Sequence, residues 1–191
     1  RKFLNEDLSL FQEKWALVRL FTKMERIPLV KRGNVKAPRA IQTRAQQYHW
    51  RLAQFTKPLE HHLYKWKVAG RRCIAKGLNL HQRANLLRQH FQKDMVCVAL
   101  DATDWDGHCS SQLLSLEHRF YLEAFGYNQE LRELLRYQLH NKGISMTGVK
   151  YSVKGSRMSG DMNTALGNCV LAASMALHAL ESVFPGSASQ G

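Results

Sequence analysis

The sequence predicts an α+β fold that is rich in helices and has a small, incomplete antiparallel sheet. Apolar residues recur at helical spacing along most of the chain, whereas only two or three short segments have the pattern of a strand. The chain contains no internal repeat and no low-complexity tract apart from a Gly/Ser-rich end after Pro185. With 191 residues, 45% of them hydrophobic, it can bury a core of ordinary size.

The first half of the chain is predicted to be mainly helical. Apolar residues at helical spacing from Leu8 to Phe21 predict an amphipathic helix over about 5–20. Residues 23–42 lack a sustained period and contain prolines and many basic residues, which favours extended or looped backbone. Two further helices are predicted, at 46–67, where Pro58 can introduce a kink, and at 79–92.

The second half is predicted to alternate between strands and helices. An apolar run at 95–100 ends at Asp101, which predicts a buried strand with a carboxylate at its tip. A last helix at about 162–182 has small residues along it, so that its backbone can pack closely against a sheet. The other elements predicted here are helices at 110–124 and 128–140 and a strand at 150–154.

The charge is divided unevenly along the chain. Residues 1–96 carry 21 Lys and Arg against 6 Asp and Glu, a net charge of +15, whereas residues 97–191 carry 7 against 9, a net charge of −2. A strongly basic half is expected of a protein that binds phosphate groups. A basic surface that is merely solvated has the same composition, so the charge alone leaves both interpretations open.

Several classes of protein are not favoured by the sequence. The four cysteines form no C-x-x-C pair and the nine histidines have no zinc-finger spacing, which indicates reduced thiols and no zinc site. The start of the chain does not resemble a signal peptide. The most apolar run, 169–180, contains His178 and is short for a bilayer, so we expect no transmembrane segment in this chain.

The first motif with chemical potential follows the apolar run at 95–100. Asp101, Asp104 and Asp106 lie close together there. A carboxylate at the end of a rigid strand suits Mg²⁺, which takes one or two protein carboxylates and completes its shell with phosphate oxygens and water. Aspartates in this position are also typical of turns and helix caps, which need no metal.

The second motif opens the last predicted helix. Ser159 and Gly160 form a flexible turn whose backbone amides can approach a ligand closely. Thr164 and Asn168 then lie one helical turn apart on the same face, where a hydroxyl and an amide can contact a ribose hydroxyl or a base edge. The alternative is a helix capped by Ser159, with Thr164 and Asn168 as packing residues.

The third motif is a basic segment between residues 23 and 41. It contains Lys23, Glu25, Lys36 and Arg39, with further basic residues between them. Arginine offers a rigid fork for phosphate and lysine a mobile point charge, so a segment with both can hold a triphosphate. An exposed basic loop without a ligand has the same pattern.

Taken in order, the three motifs resemble those of RNA-dependent RNA polymerases of positive-strand RNA viruses, most closely the tombusvirus-like group and its flavivirus-like relatives. The basic segment, Lys23-x-Glu25 and Lys36-x-x-Arg39-x-Ile41, is similar to motif F of that family. The segment from Leu100 to His108 resembles motif A, and the pattern Ser159-Gly160-x-x-Asn163-Thr164-x-x-x-Asn168 resembles motif B.

The resemblance implies a role for each candidate residue. Asp101 would coordinate the catalytic metal ions, Mg²⁺ or Mn²⁺. Asp106 and Asn168 would contact the ribose 2′-hydroxyl, with Thr164 supporting them. The remaining contacts would come from Ser159 and Gly160 at the template and nascent pair, Lys36 and Arg39 at the phosphates, and Lys23 and Glu25, which shape the basic segment. No role follows for Asp104.

The resemblance also implies a partial right-hand polymerase, with fingers and an incomplete palm. Residues 1–96 would form the fingers, and 97–191 a partial palm with a fingers insertion at about 126–150. The family's Gly-Asp-Asp motif C is missing, because no aspartate follows Asp161, and so is the thumb. We therefore expect a fragment, a split subunit or a defective product that is inactive alone.

The implied partners are an RNA template, the nascent RNA, ribonucleoside triphosphates and the missing palm and thumb segment. The implied location is the host cytoplasm, in viral replication complexes.

Two other functions remain open at this point. A non-catalytic basic RNA-binding module would need no acidic residue after an apolar segment, and RNA affinity would be its measurable property. A hydrolase that uses Ser159 has little support, because no G-x-S-x-G sequence surrounds this residue.

Overall fold

The structure, a computed structural model, describes residues 10–25, 38–68, 70–91 and 95–186. The chain divides into two compact units, each built from two separate stretches. Unit 1 comprises Arg1–Ala53 and Asp104–Thr164, and unit 2 comprises Gln54–Thr103 and Ala165–Gly191. These units do not follow the predicted boundary at residue 96, and the assignment of fingers and palm stays a prediction.

Unit 1 contains a four-stranded mixed sheet. The strands are β1 (Val18–Thr22), β2 (Ala40–Thr43), β5 (His140–Ser145) and β6 (Lys150–Lys154). Their order in the sheet is β2-β1-β5-β6. β1 pairs antiparallel with β2 and parallel with β5, and β5 pairs antiparallel with β6. The prediction of an antiparallel sheet is therefore wrong for the pair β1–β5.

The predicted helix over 5–20 is wrong in the part that the structure describes. A short 3-10 helix, Glu13–Ala16, leads directly into β1. Val18 at the start of β1 is fully buried, whereas Arg19 beside it is exposed. β-Branched and aromatic residues fit a pleated, half-buried surface, and pairing with two neighbouring strands outweighs the helical spacing.

Three helices of unit 1 follow one another before the strand pair β5–β6. They are α3 (Trp105–His108), α4 (Ser111–Ala124) and α5 (Gln129–Leu139). The side chain of Ser110 accepts a hydrogen bond from Leu113 N, and that of Asn128 accepts one from Leu131 N, so both longer helices begin at a conventional N-cap. The predictions of helices at 110–124 and 128–140 and of a strand at 150–154 are confirmed.

Unit 2 contains a two-stranded antiparallel hairpin, one whole helix and the larger parts of two helices that begin in unit 1. The hairpin is formed by β3 (Lys67–Val68) and β4 (Arg71–Arg72). Helix α2 (Leu80–His90) begins with a capping box in which the side chains of Asn79 and Gln82 bond to each other's backbone amides. The other helices are α1 (Gln46–Leu63), which starts in unit 1 and continues through Pro58, and α6 (Thr164–Val183). All three helices confirm their predictions.

The strand predicted at 95–100 is wrong, because this segment has no regular secondary structure. Val96 and Leu100 are 89% and 90% exposed. An apolar run indicates a tendency to be buried, but a strand also needs a neighbour for its backbone hydrogen bonds. None of the strands in the described ranges pairs with residues 95–100.

Helix α6 is longer than the apolar run on which the membrane prediction rested. By length and composition alone its 20 residues could cross a bilayer. The core helix of a water-soluble domain meets the same criteria, so a single helix of this kind is weak evidence. The expectation of no transmembrane segment is therefore neither confirmed nor overturned.

A network of buried polar side chains connects α4 and α5 to the segment that precedes α6. The carboxylate of Glu117 accepts hydrogen bonds from Arg157, from the Asn163 side chain at 3.0 Å and from the Tyr121 hydroxyl at 2.8 Å. Gln138 exchanges two hydrogen bonds with Asn163, at 2.8 and 3.1 Å. The side chain of Glu117 is fully buried, so its charge depends on Arg157 for compensation.

We predict that Glu117→Gln lowers the free energy of unfolding by about 3 kcal/mol or more, because it leaves the buried guanidinium of Arg157 without a counter-charge. Urea denaturation measures this change. Glu123→Gln is the matched control. Glu123 lies on α4 like Glu117 and also pairs with an arginine, Arg119, but this pair is exposed to solvent. It should cost about 1 kcal/mol or less. Similar losses for both variants would contradict the proposed contribution of the buried pair.

A second prediction concerns the pH dependence of stability. Burial lowers the pKa of His118 to about 4, and its Nε2 lies 3.2 Å from the side-chain oxygen of Gln138, to which a neutral imidazole can donate. Unfolded histidine has a pKa of about 6.5, so below that pH only the unfolded chain takes up the proton. His118 should therefore stabilise the fold above about pH 6.5 and lose this contribution, about 3 kcal/mol, as the pH falls to about 4.

The change can be measured by urea denaturation between pH 6.5 and 5. His118→Gln should flatten the dependence, whereas the exposed His140→Gln should leave it as it is. An unchanged slope for His118→Gln would show that other groups cause the dependence.

Candidate nucleotide-binding site

The structure brings together three of the four charged residues predicted in the basic segment. Glu25 lies between two cations, with Lys23 Nζ 3.1 Å from its carboxylate and Arg39 Nε donating to Oε1 at 2.7 Å. Arg39 forms a second bond to the other carboxylate oxygen, so its fork is bidentate. The backbone amide of Lys23 also donates to the carbonyl of Arg39 at 2.8 Å. Lys36 lies outside the described residues.

The cations around Glu25 remain accessible to solvent. The hydrogen bonds from Arg39 and then from Lys23 lower the pKa of Glu25 to about 2, so the carboxylate stays charged at any physiological pH. The side chain of Arg39 is 63% exposed. A triphosphate that binds here must therefore share Arg39 with Glu25 or displace that carboxylate.

The turn formed by Ser159 and Gly160 is bonded directly to β2. Gly160 N donates to the carbonyl of Gln42 at 2.8 Å, and Gln42 N donates to Ser159 Oγ at 3.3 Å. The hydroxyl of Thr43 donates to the Gly160 carbonyl at 3.2 Å. A Cβ atom at residue 160 would lie only 2.7 Å from Thr43 Cβ and 2.8 Å from the Gln42 carbonyl oxygen. A glycine is therefore required by the close approach of two backbones.

These contacts assign structural roles to two of the predicted residues. The Ser159 hydroxyl accepts a bond from β2, so the interpretation of Ser159 as a simple cap of the following helix is not supported. The hydroxyl of Thr164 donates to the Met158 carbonyl at 3.0 Å and closes the turn from the other side. Thr164 and Asn168 lie one turn apart at the start of α6, as predicted.

Asp106 belongs to unit 1 and lies on the short helix α3. Its backbone carbonyl accepts a hydrogen bond from Arg157 N at 2.8 Å, two residues before Ser159. The neighbouring Asp104 is exposed and has a left-handed backbone conformation, with φ 50°. Unit 1 therefore contains the basic segment, Asp106 and the Ser159–Gly160 turn, whereas Asp101 and Asn168 belong to unit 2.

The described residues do not form a metal site by themselves. Asp101 lies in exposed, irregular chain and not at the tip of a strand. Within the described ranges, no group of three or more His, Cys, Asp or Glu side chains is placed to hold a metal ion. A single carboxylate in irregular chain does not by itself meet the needs of a two-metal site. The assignment of Asp101 as a metal ligand stays a prediction.

Two residues that hold the turn, Arg44 and Asp161, were not predicted from the sequence. Arg44, just after β2, forms an ion pair with Asp161, just after Gly160, with Arg44 Nε 2.9 Å from Asp161 Oδ1. The two side chains are only 1% and 4% exposed. Burial acts to lower the pKa of Arg44, but the charge of Asp161, the hydrogen bond to it and the neighbouring tyrosines together outweigh burial, so the pKa lies above its ordinary value. Arg44 follows the basic segment and Asp161 follows the Ser159–Gly160 turn, but nothing in the local sequence indicates that these two residues pair.

Comparisons with known proteins agree with the resemblance. A family model described as "Viral RNA dependent RNA polymerase" matches residues 6–185. The chain is 39% identical over 167 residues to the RNA-directed RNA polymerase of Tobacco necrosis virus (strain A). The aligned region covers 84% of this chain and 23% of that protein. It is 38% identical over 164 residues to that of Maize chlorotic mottle virus (isolate United States/Kansas/1987), covering 82% and 17%. It is 36% identical over 177 residues to that of Turnip crinkle virus, covering 89% and 23%.

The matched region is a small part of each relative. The chain spans 17–23% of the length of these three curated proteins. What the whole relatives do therefore extends to this chain only as a proposal.

We predict that Arg39→Gln weakens the binding of a nucleoside triphosphate about tenfold, because it removes the bidentate fork. Binding of RNA to the same chain should change less, since many basic residues contribute to it. Lys36→Gln should act in the same direction. Fluorescence anisotropy with a labelled triphosphate and a labelled RNA measures both affinities.

The matched control is Arg119→Gln. Arg119 is also exposed and also paired with a glutamate, but it lies on α4. This variant should leave both affinities unchanged. Equal losses of triphosphate and RNA binding in Arg39→Gln would reduce the basic segment to general basic surface.

Proposed function

The chain belongs to the viral RNA-dependent RNA polymerase family, and we propose that it provides the fingers and the first part of the palm of a right-hand RNA polymerase. In this proposal the complete protein adds ribonucleotides to the 3′ end of RNA under the direction of a template, during replication of a viral genome. The fingers would comprise 1–96, and 97–191 would form the partial palm with a fingers insertion at about 126–150.

One observation carries the proposal. The strand that follows Arg39 is hydrogen-bonded directly to the Ser159–Gly160 turn, and Asp106 is bonded to the residues just before that turn. Segments that are far apart in sequence, with candidate contacts for phosphate, sugar and base, therefore meet in one compact unit. An exposed basic loop or a capped helix without a ligand would not explain why these segments are in contact.

In the proposed reaction, each of these residues acts on a different part of the nucleotide. Arg39 and Lys36 hold the phosphates, and Lys23 and Glu25 keep Arg39 in position through the ion pairs described above. Positioning of this kind accounts for much of the catalysis of nucleotidyl transfer, because it converts an encounter of two molecules into a reaction within one complex.

In the same proposal, the other two motifs contact the sugar and the nascent pair. Asp106 and Asn168 contact the ribose 2′-hydroxyl, with Thr164 in support, and the amides of the Ser159–Gly160 turn face the nascent pair. Divalent metal ions are general in this family. Asp101 is proposed as one of their ligands, and a second carboxylate must come from another segment.

We further propose that this chain is part of a longer protein and is inactive alone. One observation supports this: the chain spans 17–23% of the relatives compared above. The missing part would carry the Gly-Asp-Asp hairpin and the thumb. The complete protein would then work in the cytoplasm of the host, in viral replication complexes.

The test is complementation. The chain is mixed with, or fused to, a downstream polymerase segment that carries Gly-Asp-Asp and the thumb, and extension of an RNA primer is measured with Mg²⁺ present. We expect extension by the completed protein and little or none by the 191-residue chain. Strong extension by the chain alone would refute the fragment proposal. RNA binding without extension by the completed protein would instead favour the non-catalytic RNA-binding module.

Sugar selection provides a sharper prediction in the completed protein. Asp106→Ala or Asn168→Ala should raise the use of deoxynucleotides relative to ribonucleotides by about tenfold or more, because a polar pocket that bonds a hydroxyl rejects a sugar without it. The ratio of kcat/KM for the two triphosphates measures the change. Asp104→Ala is the control, since this neighbouring aspartate has no proposed role, and its ratio should stay constant. A constant ratio in all three variants would remove Asp106 and Asn168 from sugar recognition.

A further inference from the structure

The buried guanidinium of Arg44 connects four segments of unit 1. In addition to the ion pair with Asp161, it donates to the carbonyl of Ala16 at 2.6 Å and to the side-chain oxygen of Asn141. It also lies over the ring of Tyr48, 5.0 Å from the centroid. One side chain therefore contacts the 3-10 helix before β1, the start of α1, β5 and the turn before α6.

We propose that Arg44 and Asp161 are positioning residues of the polymerase site. They hold β2 and the Ser159–Gly160 turn at one fixed separation, so that the residues at the phosphates and those at the nascent pair act on the same nucleotide. The inference rests on the proposed function for its purpose, but the contact itself can be tested without it.

The fixed separation follows from the geometry on either side of the ion pair. Arg44 comes directly after β2, and Asp161 comes directly after Gly160, so the pair closes the contact between the two segments at one end. Three hydrogen bonds among Gln42, Thr43, Ser159 and Gly160 continue the contact. The turn approaches β2 so closely that a Cβ atom at residue 160 would clash with Thr43 and with the Gln42 carbonyl oxygen.

The strand then carries this position to the phosphate contacts. Arg39 lies three residues before Gln42, about 10 Å along an extended strand at 3.3 Å per residue. β2 is paired along its whole length to β1, and the carbonyl of Arg39 accepts a hydrogen bond from Lys23 N, so the backbone from the turn contact to Arg39 is held by β1 and the residue that follows it. The ion pair thereby sets the distance between Arg39 and the Ser159–Gly160 turn, although it does not contact Arg39.

Stability alone is a weak reason for this ion pair. Removing two charges from water is costly, and replacing a buried ion pair by well-packed apolar residues is often neutral or stabilising. The pair does, however, fix direction, because the N–H groups of the arginine fork donate to their partners only in one plane. A requirement for fixed geometry explains the pair better than a requirement for stability.

The first experiment uses the 191-residue chain itself. The double variant Arg44→Met/Asp161→Leu removes both charges and keeps apolar bulk. We expect the amide of Gly160, which is bonded to Gln42, to exchange with deuterium at least about tenfold faster, because the turn opens locally. The amides of α4 should keep their rates, and the melting temperature should stay within about 5 °C of the original. Site-resolved exchange by NMR measures these rates.

The second experiment uses the completed polymerase. If the ion pair positions the nucleotide, the same double variant should lower kcat/KM for ribonucleotides about 10- to 100-fold, while the affinity for RNA stays constant. The matched control is Arg51→Met/Glu130→Leu, which removes a different ion pair of unit 1, between α1 and α5. This control should keep both the Gly160 exchange rate and the kinetics.

If the Arg44→Met/Asp161→Leu protein does not fold, Thr43→Val takes its place, because it removes the bond to the Gly160 carbonyl without disturbing a buried charge. Thr43→Val should change the Gly160 exchange rate and kcat/KM in the same directions, each by a smaller factor. An unchanged Gly160 exchange rate, or unchanged kinetics in a folded variant, would overturn the positioning proposal. Absence of extension by the unmodified completed protein would instead refute the proposed function, and the exchange rate would still decide whether the pair holds the turn.

Discussion

The segment from Arg157 to Asp161 is held at both of its ends by a buried ion pair, and the arrangement of unit 1 depends on this constraint. Arg157 pairs with Glu117 of α4, and Asp161 pairs with Arg44 after β2. Each of the two buried arginines therefore pairs with a carboxylate from a distant part of the chain. A turn of five residues is thereby fixed between a helix and a strand, although its own backbone contains a glycine. Such support from outside the turn is what a ligand-contacting loop needs to keep one conformation.

The proposed function gives this support a purpose. Unit 1 contains the basic residues around Glu25, the short helix with Asp106, and the supported turn, whereas Asp101 and Asn168 belong to unit 2. In the proposed function, recognition of the phosphates and of the nascent pair would therefore depend on contacts within one unit.

Local signals in the sequence were sufficient for the longer helices but not for the sheet. Helices α4 and α5 have clear periodicity and side-chain caps, and they were predicted within one or two residues. β5 was missed because its sequence, HNKGIS, has almost no apolar alternation, and its position depends on pairing with β1 and β6. The candidate motifs were visible because their residue types carry chemistry. The Arg44–Asp161 pair was not visible, because 117 residues separate two charges that meet only in the folded chain.

The exposed segment at 95–100 has a consequence for the handling of this protein. Its sequence, MVCVAL, contains no charge and no proline, and most of its side chains face solvent. Short uncharged segments with high β propensity and free backbone groups are templates for pairing with identical segments of other molecules. At the concentrations used for crystallisation or NMR, copies of the chain would tend to form intermolecular sheets through this segment. A charged residue at Val96 or Val98 would act as a gatekeeper against such aggregation, because it would have to be buried between the paired strands.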